Sequence, residues 1–267
     1  MVEKFKEFLT HSNMAKNTVS AYIYAVNDFN SRYKELTKKN LLLYKTYLIE
    51  RFKPKTVNLR IQALNKYLEY LHKPKLRLKS VKVQQRTYLE NVISQADYIF
   101  LKKKLKQEEN LMWYFVVRFL TATGARVSEL IQIKVEHVRI GYFDIYSKGG
   151  KVRRLFIPKC LRVEAEKWFE ETQQTTGYIF RNRFGERITT RGIAQQLKNY
   201  AERYGLNTNV VYPHSFRHRY AKNFLEAFND IALLADLMGH ESIETTRIYL
   251  RRKASEQQAI VDKVITW

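Results

Sequence analysis

Several polar side chains stand where helix packing alone does not explain them. Arg126 follows a long apolar run in the turn TATGAR, where Gly124 permits a sharp bend and a guanidinium can enter a cleft. In HSFRHRYA, His214 and Arg217 lie three apart on one helical face; in LMGHESIETTRIYL, His240 lies just past a glycine stop and Tyr249 follows nine residues on. With Lys148 in a hairpin, these residues suit phosphate chemistry without a metal. A phosphodiester under attack spreads negative charge onto its equatorial oxygens, and planar guanidinium groups hold such oxygens in pairs. A tyrosine can then attack, because its phenol leaves again more readily than an alkoxide. Taken singly, an arginine is usually a surface ion pair and a tyrosine packing; only the set points to chemistry. No GxxxxGK[ST] loop, no GxGxxG after a strand, no HExxH and no close carboxylate cluster occurs, so no cofactor is expected. His214 and His218, four apart, could share a face, but with one cysteine and no nearby acidic third ligand no metal site is expected.

Rigid elements must position these groups. Apolar residues make up 45% of the 267, with 18 Tyr, 15 Phe and 3 Trp, which is enough for a core, while 9 Gly and 4 Pro are few for a turn-rich β fold. The expected fold is mainly α. Val19, Tyr22, Val26, Phe29 and Tyr33, and again Val57, Ile61, Leu64, Leu68 and Leu71, recur at steps of three and four, one helical face each. Asn17 or Ser12 can start the first of these helices, and Thr37 can start one carrying Leu41, Tyr44 and Leu48. With a short helix at residues 2–10, this makes a helical domain over 1–79. KPKLRLKSVKVQQR then loses the helical period and reads as a basic linker, centred on 80–87, that either lies along a phosphate backbone or is a solvated connection. The helical pattern returns at Ser94. NLMWYFVVRFLTAT is apolar nearly all round and so central to a second core. HVRIGYFDIYSKGGKVRRLFIP alternates at period two around Gly149-Gly150, as a small antiparallel hairpin does, and four helical stretches follow it.

Charge bounds the partners. Forty-eight Lys and Arg against 26 Asp and Glu give +22, half of it within residues 1–79. Solubility asks for only about 2 to 8 in a small domain, so the excess favours a polyanion, nucleic acid first. Cys160 stands alone, which rules out an internal disulfide, and reads as a buried small hydrophobe. No run of 18 apolar residues occurs, and MVEKFKEFLTHS lacks the apolar block of a signal peptide; no membrane partner and a cytoplasmic location are expected.

TGARVSEL, SKGGKVRR, HSFRHRYA and LMGHESIETTRIYL, in this order and spacing, resemble the four signature blocks of the tyrosine site-specific recombinases, the phage integrase or Xer-type family. The similarity runs from about residue 88 to 252. NTVSAYIYAVNDF and KTVNLRIQALNKYLEYL are similar to the family's SAM-like helical domain that binds core sites. The resemblance implies a two-domain DNA clamp, with the small antiparallel β-sheet in a catalytic domain at 88–252 and a tail at 253–267. It implies that Arg126 and Arg217 hold the scissile phosphate, Lys148 is the general acid for the departing 5′ oxygen, and Tyr249 is the nucleophile. His214 matches the histidine that assists proton transfer from that nucleophile, His240 the one that hydrogen-bonds the phosphate, and Glu129 an acidic position that orients its neighbours. Lys151, in the same hairpin, is the alternative acid if the turn register differs. His218 and Tyr220 read as backbone-contact or packing residues. Ala125, Phe216 and Ser147 depart from the family's usual Leu, Leu and Gly without removing a catalytic group.

The implied partners are double-stranded DNA with inverted-repeat core sites, further copies forming a homotetramer, and an accessory protein in some systems. The implied reaction runs through a 3′-phosphotyrosine and a Holliday junction without metal or ATP, in integration or excision, inversion or dimer resolution. Ala259, Ile260, Val264 and Trp267 give the tail an apolar face that packs either on a neighbouring subunit or on its own domain. The chain opens directly on the core-site domain, so an extra arm-binding domain is not expected. Two other readings stand beside this one. A type IB topoisomerase has the complete HxxR and GH blocks against it, and a regulatory DNA-binding protein has the intact catalytic positions against it.

Overall fold

The computed structural model describes residues 2–83, 91–146, 152–240, 242–250 and 261–265. The chain forms two compact units, residues 1–85 and 86–267. The fold is mainly α with one two-stranded antiparallel sheet, as the composition and periodicity lead one to expect. No helix among the described residues is long and apolar enough to cross a membrane.

The first unit holds α1 (Val2–His11), α2 (Lys16–Arg32), α3 (Lys38–Arg51) and α4 (Pro54–Tyr70). Its core joins Phe5, Val26, Phe29, Tyr44, Leu48, Ile61 and Leu64, each at or near zero exposure; removing one such side chain costs roughly 2–5 kcal/mol. Thr37 starts α3 as anticipated, its hydroxyl accepting from the Asn40 amide at 3.2 Å. Neither Asn17 nor Ser12 starts α2: the cap is Ala15, without a side-chain bond, and Ser12 instead donates to the Phe8 carbonyl at the end of α1. The helix forms without a polar cap because its buried face, Val19 to Phe29, holds it against the core.

The segment after α4 is pinned to that helix by its backbone at two points, while most of its described side chains are exposed. Asn65 brackets Leu78, donating to its carbonyl at 2.9 Å and accepting from its amide at 2.8 Å; Asn58 does the same for Val81 at 3.0 and 2.8 Å. The two asparagines, seven apart on one face of α4, replace a strand partner, and Leu78 is buried. Residues 84–90 lie outside the described residues.

The second unit runs through α5 (Gln95–Gln107), α6 (Leu111–Thr123), α7 (Val127–Leu130), α8 (Val135–Ile140), β1 (Tyr142–Tyr146), β2 (Val152–Phe156), α9 (Lys159–Glu171), α10 (Thr190–Arg203), α11 (Pro213–Ala227), α12 (Ile231–Met238) and α13 (Glu244–Arg247). A 3-10 turn, Ile248–Leu250, follows. Helix α6 is central: eight of its residues are buried, and Phe115 stacks on Trp168 with ring centroids 4.6 Å apart. It ends on Gly124 in the left-handed conformation, φ +63, where an added Cβ would meet the Tyr220 ring at 2.4 Å. Strands β1 and β2 pair from Tyr142↔Phe156 to Tyr146↔Val152. The connection between them, with Lys148, Lys151 and the Gly149-Gly150 turn, lies outside the described residues. Cys160 corrects one expectation: it is exposed, because Leu161, Ala165, Trp168 and Phe169 occupy the inward face of α9 and the thiol falls on the other.

Candidate active site

Helix α12 organises the site. Its C-terminal carbonyls have no partners within the helix, and three successive ones each accept from a different arginine. Leu237 takes Arg153 Nη1 at 2.6 Å, Met238 takes Arg217 Nη2 at 2.6 Å, and Gly239 takes Arg126 Nη2 at 3.1 Å. The negative end of a helix dipole favours cations there. Gly239, at φ +62, makes the turn possible and leaves room for Arg153, whose Cδ would lie 2.3 Å from an added Cβ.

A single buried carboxylate, Glu129, ties two of these arginines together. It accepts from the Arg126 backbone amide at 2.7 Å and from Arg126 Nη1 at 2.9 Å, and it pairs with Arg153 Nη2 at 2.5 Å. Burial works against its charge, but Arg153 and Arg126 outweigh burial and hold the carboxyl below its ordinary range. Arg217 has no carboxylate bonded to it among the described residues. At 1% exposure it donates Nη1 to the Gly124 carbonyl and Nη2 to Met238, and burial, then the charge of Arg126, brings it down to about 10. Its buried Nε has no partner among the described residues. The cluster thus carries an excess of positive charge in a sheltered place, which suits an anion.

His240 completes the cradle. Arg217 Nη2 lies 3.1 Å from His240 Nε2 and can only donate, so Nε2 accepts and the proton sits on Nδ1, which donates to the buried Thr246 hydroxyl at 2.7 Å. Burial, reinforced by Arg217 and Arg126, pushes this imidazole down to about 4 and keeps it neutral. An open cavity of about 970 Å³ lies alongside, lined by Arg126, Glu129, Arg153 and His240, with Val152 and Leu233 on its apolar wall.

Tyr249 is 8% exposed and packs among Ala221, Leu225, Leu234 and Met238. Its hydroxyl lies 2.8 Å from His218 Nδ1. Burial lifts the phenol to about 12, against the opposing pull of Arg217 and Arg126. His214 is exposed at the start of α11, its ring edge-on to His218 at 4.3 Å between centroids, and no hydrogen bond joins it to Tyr249 among the described residues.

Comparison with known proteins decides the family. Residues 92–256 match the phage integrase family, and residues 1–82 match the phage integrase N-terminal SAM-like domain. The chain belongs to the phage integrase family. It is a tyrosine recombinase, an enzyme of DNA strand transfer. It is 27% identical to tyrosine recombinase XerA of Pyrococcus furiosus over 98% of this chain and 93% of that one, and 26% identical to XerD of Listeria monocytogenes over 93% of each. A lambda integrase dimer bound to a COC′ core site shares the fold at TM-score 0.75, with 15% identity over 100% of this chain and 77% of the other. The post-cleavage complex of XerH with palindromic difH substrate does so at TM-score 0.72, with 17% identity over 98% and 85%.

In this tyrosine recombinase, then, Arg126 with Glu129, Arg217 and His240 come together from three separate places in the chain, and Tyr249 adjoins them through α11 and α12. Lys148 and Lys151 fall outside the described residues. Sequence reasoning passed over Arg153 and Thr246, and read as a backbone-contact or packing residue the His218 that bonds the Tyr249 hydroxyl. Arg153 did leave a signal: it shares a strand face with the buried Leu155 while Arg154 faces out to Asp144, and an arginine on the apolar side of a strand needs a partner.

Proposed function

We propose that this recombinase exchanges DNA strands at specific sites through a covalent 3′-phosphotyrosine and a Holliday junction, without metal or ATP. Arg126 and Arg217 hold the scissile phosphate; His240 hydrogen-bonds it once its hydrogen stands on Nε2, with the Thr246 hydroxyl then donating to Nδ1, while Glu129 keeps Arg126 in place. Tyr249 attacks phosphorus, the bond to the 5′ oxygen breaks, and Lys148, or Lys151 if the hairpin register differs, supplies that oxygen's proton; His214 assists in proton transfer. The freed 5′ hydroxyl then attacks the matching phosphotyrosine of a partner duplex, so bond energy is conserved and none need be supplied from outside. The observation carrying this reading is the convergence of two arginines and a neutral histidine on one helix end, with more positive than negative charge among them.

The partner is double-stranded DNA with inverted-repeat core sites, held by two basic domains in the cytoplasm; a homotetramer works on it, with an accessory protein in some settings. Exposed Val261, Val264 and Ile265 near the C-terminus and exposed Val152 and Leu233 beside the cavity support assembly between copies. The biological role is integration or excision, inversion or dimer resolution, tasks that differ in site arrangement. The test is to incubate wild-type and Tyr249→Phe protein with sheared source DNA in chelator, denature, and sequence DNA left covalently on protein. Adducts from wild type alone, enriched at one inverted repeat, are expected. Adducts from Tyr249→Phe would remove Tyr249 from its role, and binding without any adduct would favour a regulatory protein.

A further inference from the structure

We infer that His218, the residue after Arg217 in HSFRHRYA, receives the proton of Tyr249 when the phenol attacks. The inference rests on the strand-transfer reading above and adds a catalytic group to it. His218 is 8% exposed and presents Nδ1 to the Tyr249 hydroxyl at 2.8 Å. In this assignment the protonated phenol donates, which makes Nδ1 the bare, accepting nitrogen and places the hydrogen on Nε2. With the hydroxyl hydrogen turned to His218, the lone pairs of the oxygen are left to face phosphorus.

The surroundings favour a bare acceptor before DNA arrives. The rings of His214 and Tyr249 pack against it, and burial first, then His214, Arg217, His240 from the turn after α12 and Lys222, holds the imidazole down to about 4. A phosphate seated between Arg126 and Arg217 offsets that positive field, so the basicity of His218 rises as the substrate to be attacked binds. The step balances: the Tyr249 oxygen bonds to phosphorus, its proton passes to His218 Nδ1, and the 5′ oxygen departs with a proton from the hairpin lysine. On religation the incoming 5′ hydroxyl returns a proton to that lysine, and His218 returns its own to the leaving phenolate. His214, exposed and in ring contact with His218, has no hydrogen bond to Tyr249 among the described residues and stands one group further from the reacting oxygen.

The test uses the full chain and the duplex recovered from wild-type adducts. His218→Gln keeps a hydrogen-bond acceptor but cannot take up a proton. Its rate of adduct formation is expected to fall about 10²-fold, with DNA binding retained. A more acidic phenol, trifluorotyrosine at position 249, should recover most of that loss in His218→Gln and none of the loss in Arg217→Lys, whose defect is phosphate binding. A His218→Gln rate within about twofold of wild type, or a loss that the acidic phenol does not lessen, overturns the inference and leaves strand transfer standing. Wild type without adducts would overturn both. In the free protein, ¹⁵N shifts of His218 should show a bare Nδ1 that responds to Tyr249→Phe; a protonated Nδ1 there also refutes the assignment.

Discussion

Asp28 in the first unit and Glu129 in the second are both sheltered carboxylates among arginines, and their surroundings differ in one respect. Asp28 accepts from Arg60 Nη1 and from the Tyr44 hydroxyl, each at 2.6 Å, and Arg32 closes from the surface at 3.3 Å. Burial alone would lower Arg60, yet Tyr44 and Asp28 raise it above its ordinary value, as expected of a charge with its counter-charge beside it. In the second unit Glu129 is shared by Arg126 and Arg153, and Arg217, more deeply buried than Arg60, bonds only to carbonyls and His240 among the described residues and is lowered. Each arginine of the first cluster thus bonds a carboxylate and is matched in that sense, while Arg217 leaves the second cluster unmatched. A matched cluster holds a fold together; an unmatched one is poised for an anion from outside.

Methionine at each buried arginine gives the widest separation between the two. Arg217→Met should cut covalent adduct formation by 10² to 10³-fold, the scale for losing a preorganised donor to developing charge, while urea unfolding shifts by no more than about 1 kcal/mol because an uncompensated buried charge is removed. Arg60→Met should do the reverse, costing about 3 kcal/mol by taking from Asp28 its sheltered counter-charge and leaving it Tyr44 and the more exposed Arg32, with adduct chemistry per folded molecule unchanged. Equal effects of the two on stability would abolish the distinction.

Glu129→Gln sharpens it from the acidic side. The amide can still accept one hydrogen bond but supplies no counter-charge, so unfolding should become easier by about 2 kcal/mol and adduct formation slower as Arg126 loses its anchor. Acid tests the second unit in another way. His218 and His240 are held near 4 in the fold against an ordinary 6.5, so the unfolded chain binds more protons between those values. Their contribution to stability is present above about pH 6.5 and is lost as pH falls toward 4, at no more than about 1.4 kcal/mol per pH unit for each. Hydrogen exchange of α11 amides from pH 7 to 5 reads this directly, and flat protection would contradict it.

Much of the fold was open to sequence reasoning because it rests on local rules. The period of Val57, Ile61, Leu64 and Leu68 gave α4, Thr37 gave the start of α3, and period two gave the β1–β2 hairpin. The failures came where a distant partner overrode a local preference. Ala15 caps α2 with no polar side chain, and no local pattern signalled that asparagines 13 and 23 residues away bond the backbone of Leu78 and Val81.

The candidate site divides along the same line. Residue order by itself determined which side chains lie within one helical turn of each other, His214 with Arg217 and Arg126 with Glu129, since helix geometry decides neighbours three and four apart. It also supplied the glycines, Gly124 and Gly239, whose left-handed turns end α6 and α12. Only the tertiary structure decided that Arg217 reaches the Gly124 carbonyl 93 residues away, that Arg153 crosses 84 residues to Leu237, and that His218 meets Tyr249. Those contacts depend on how α6, β2, α11 and α12 pack, and packing is set by the whole core at once, which no short stretch of sequence contains.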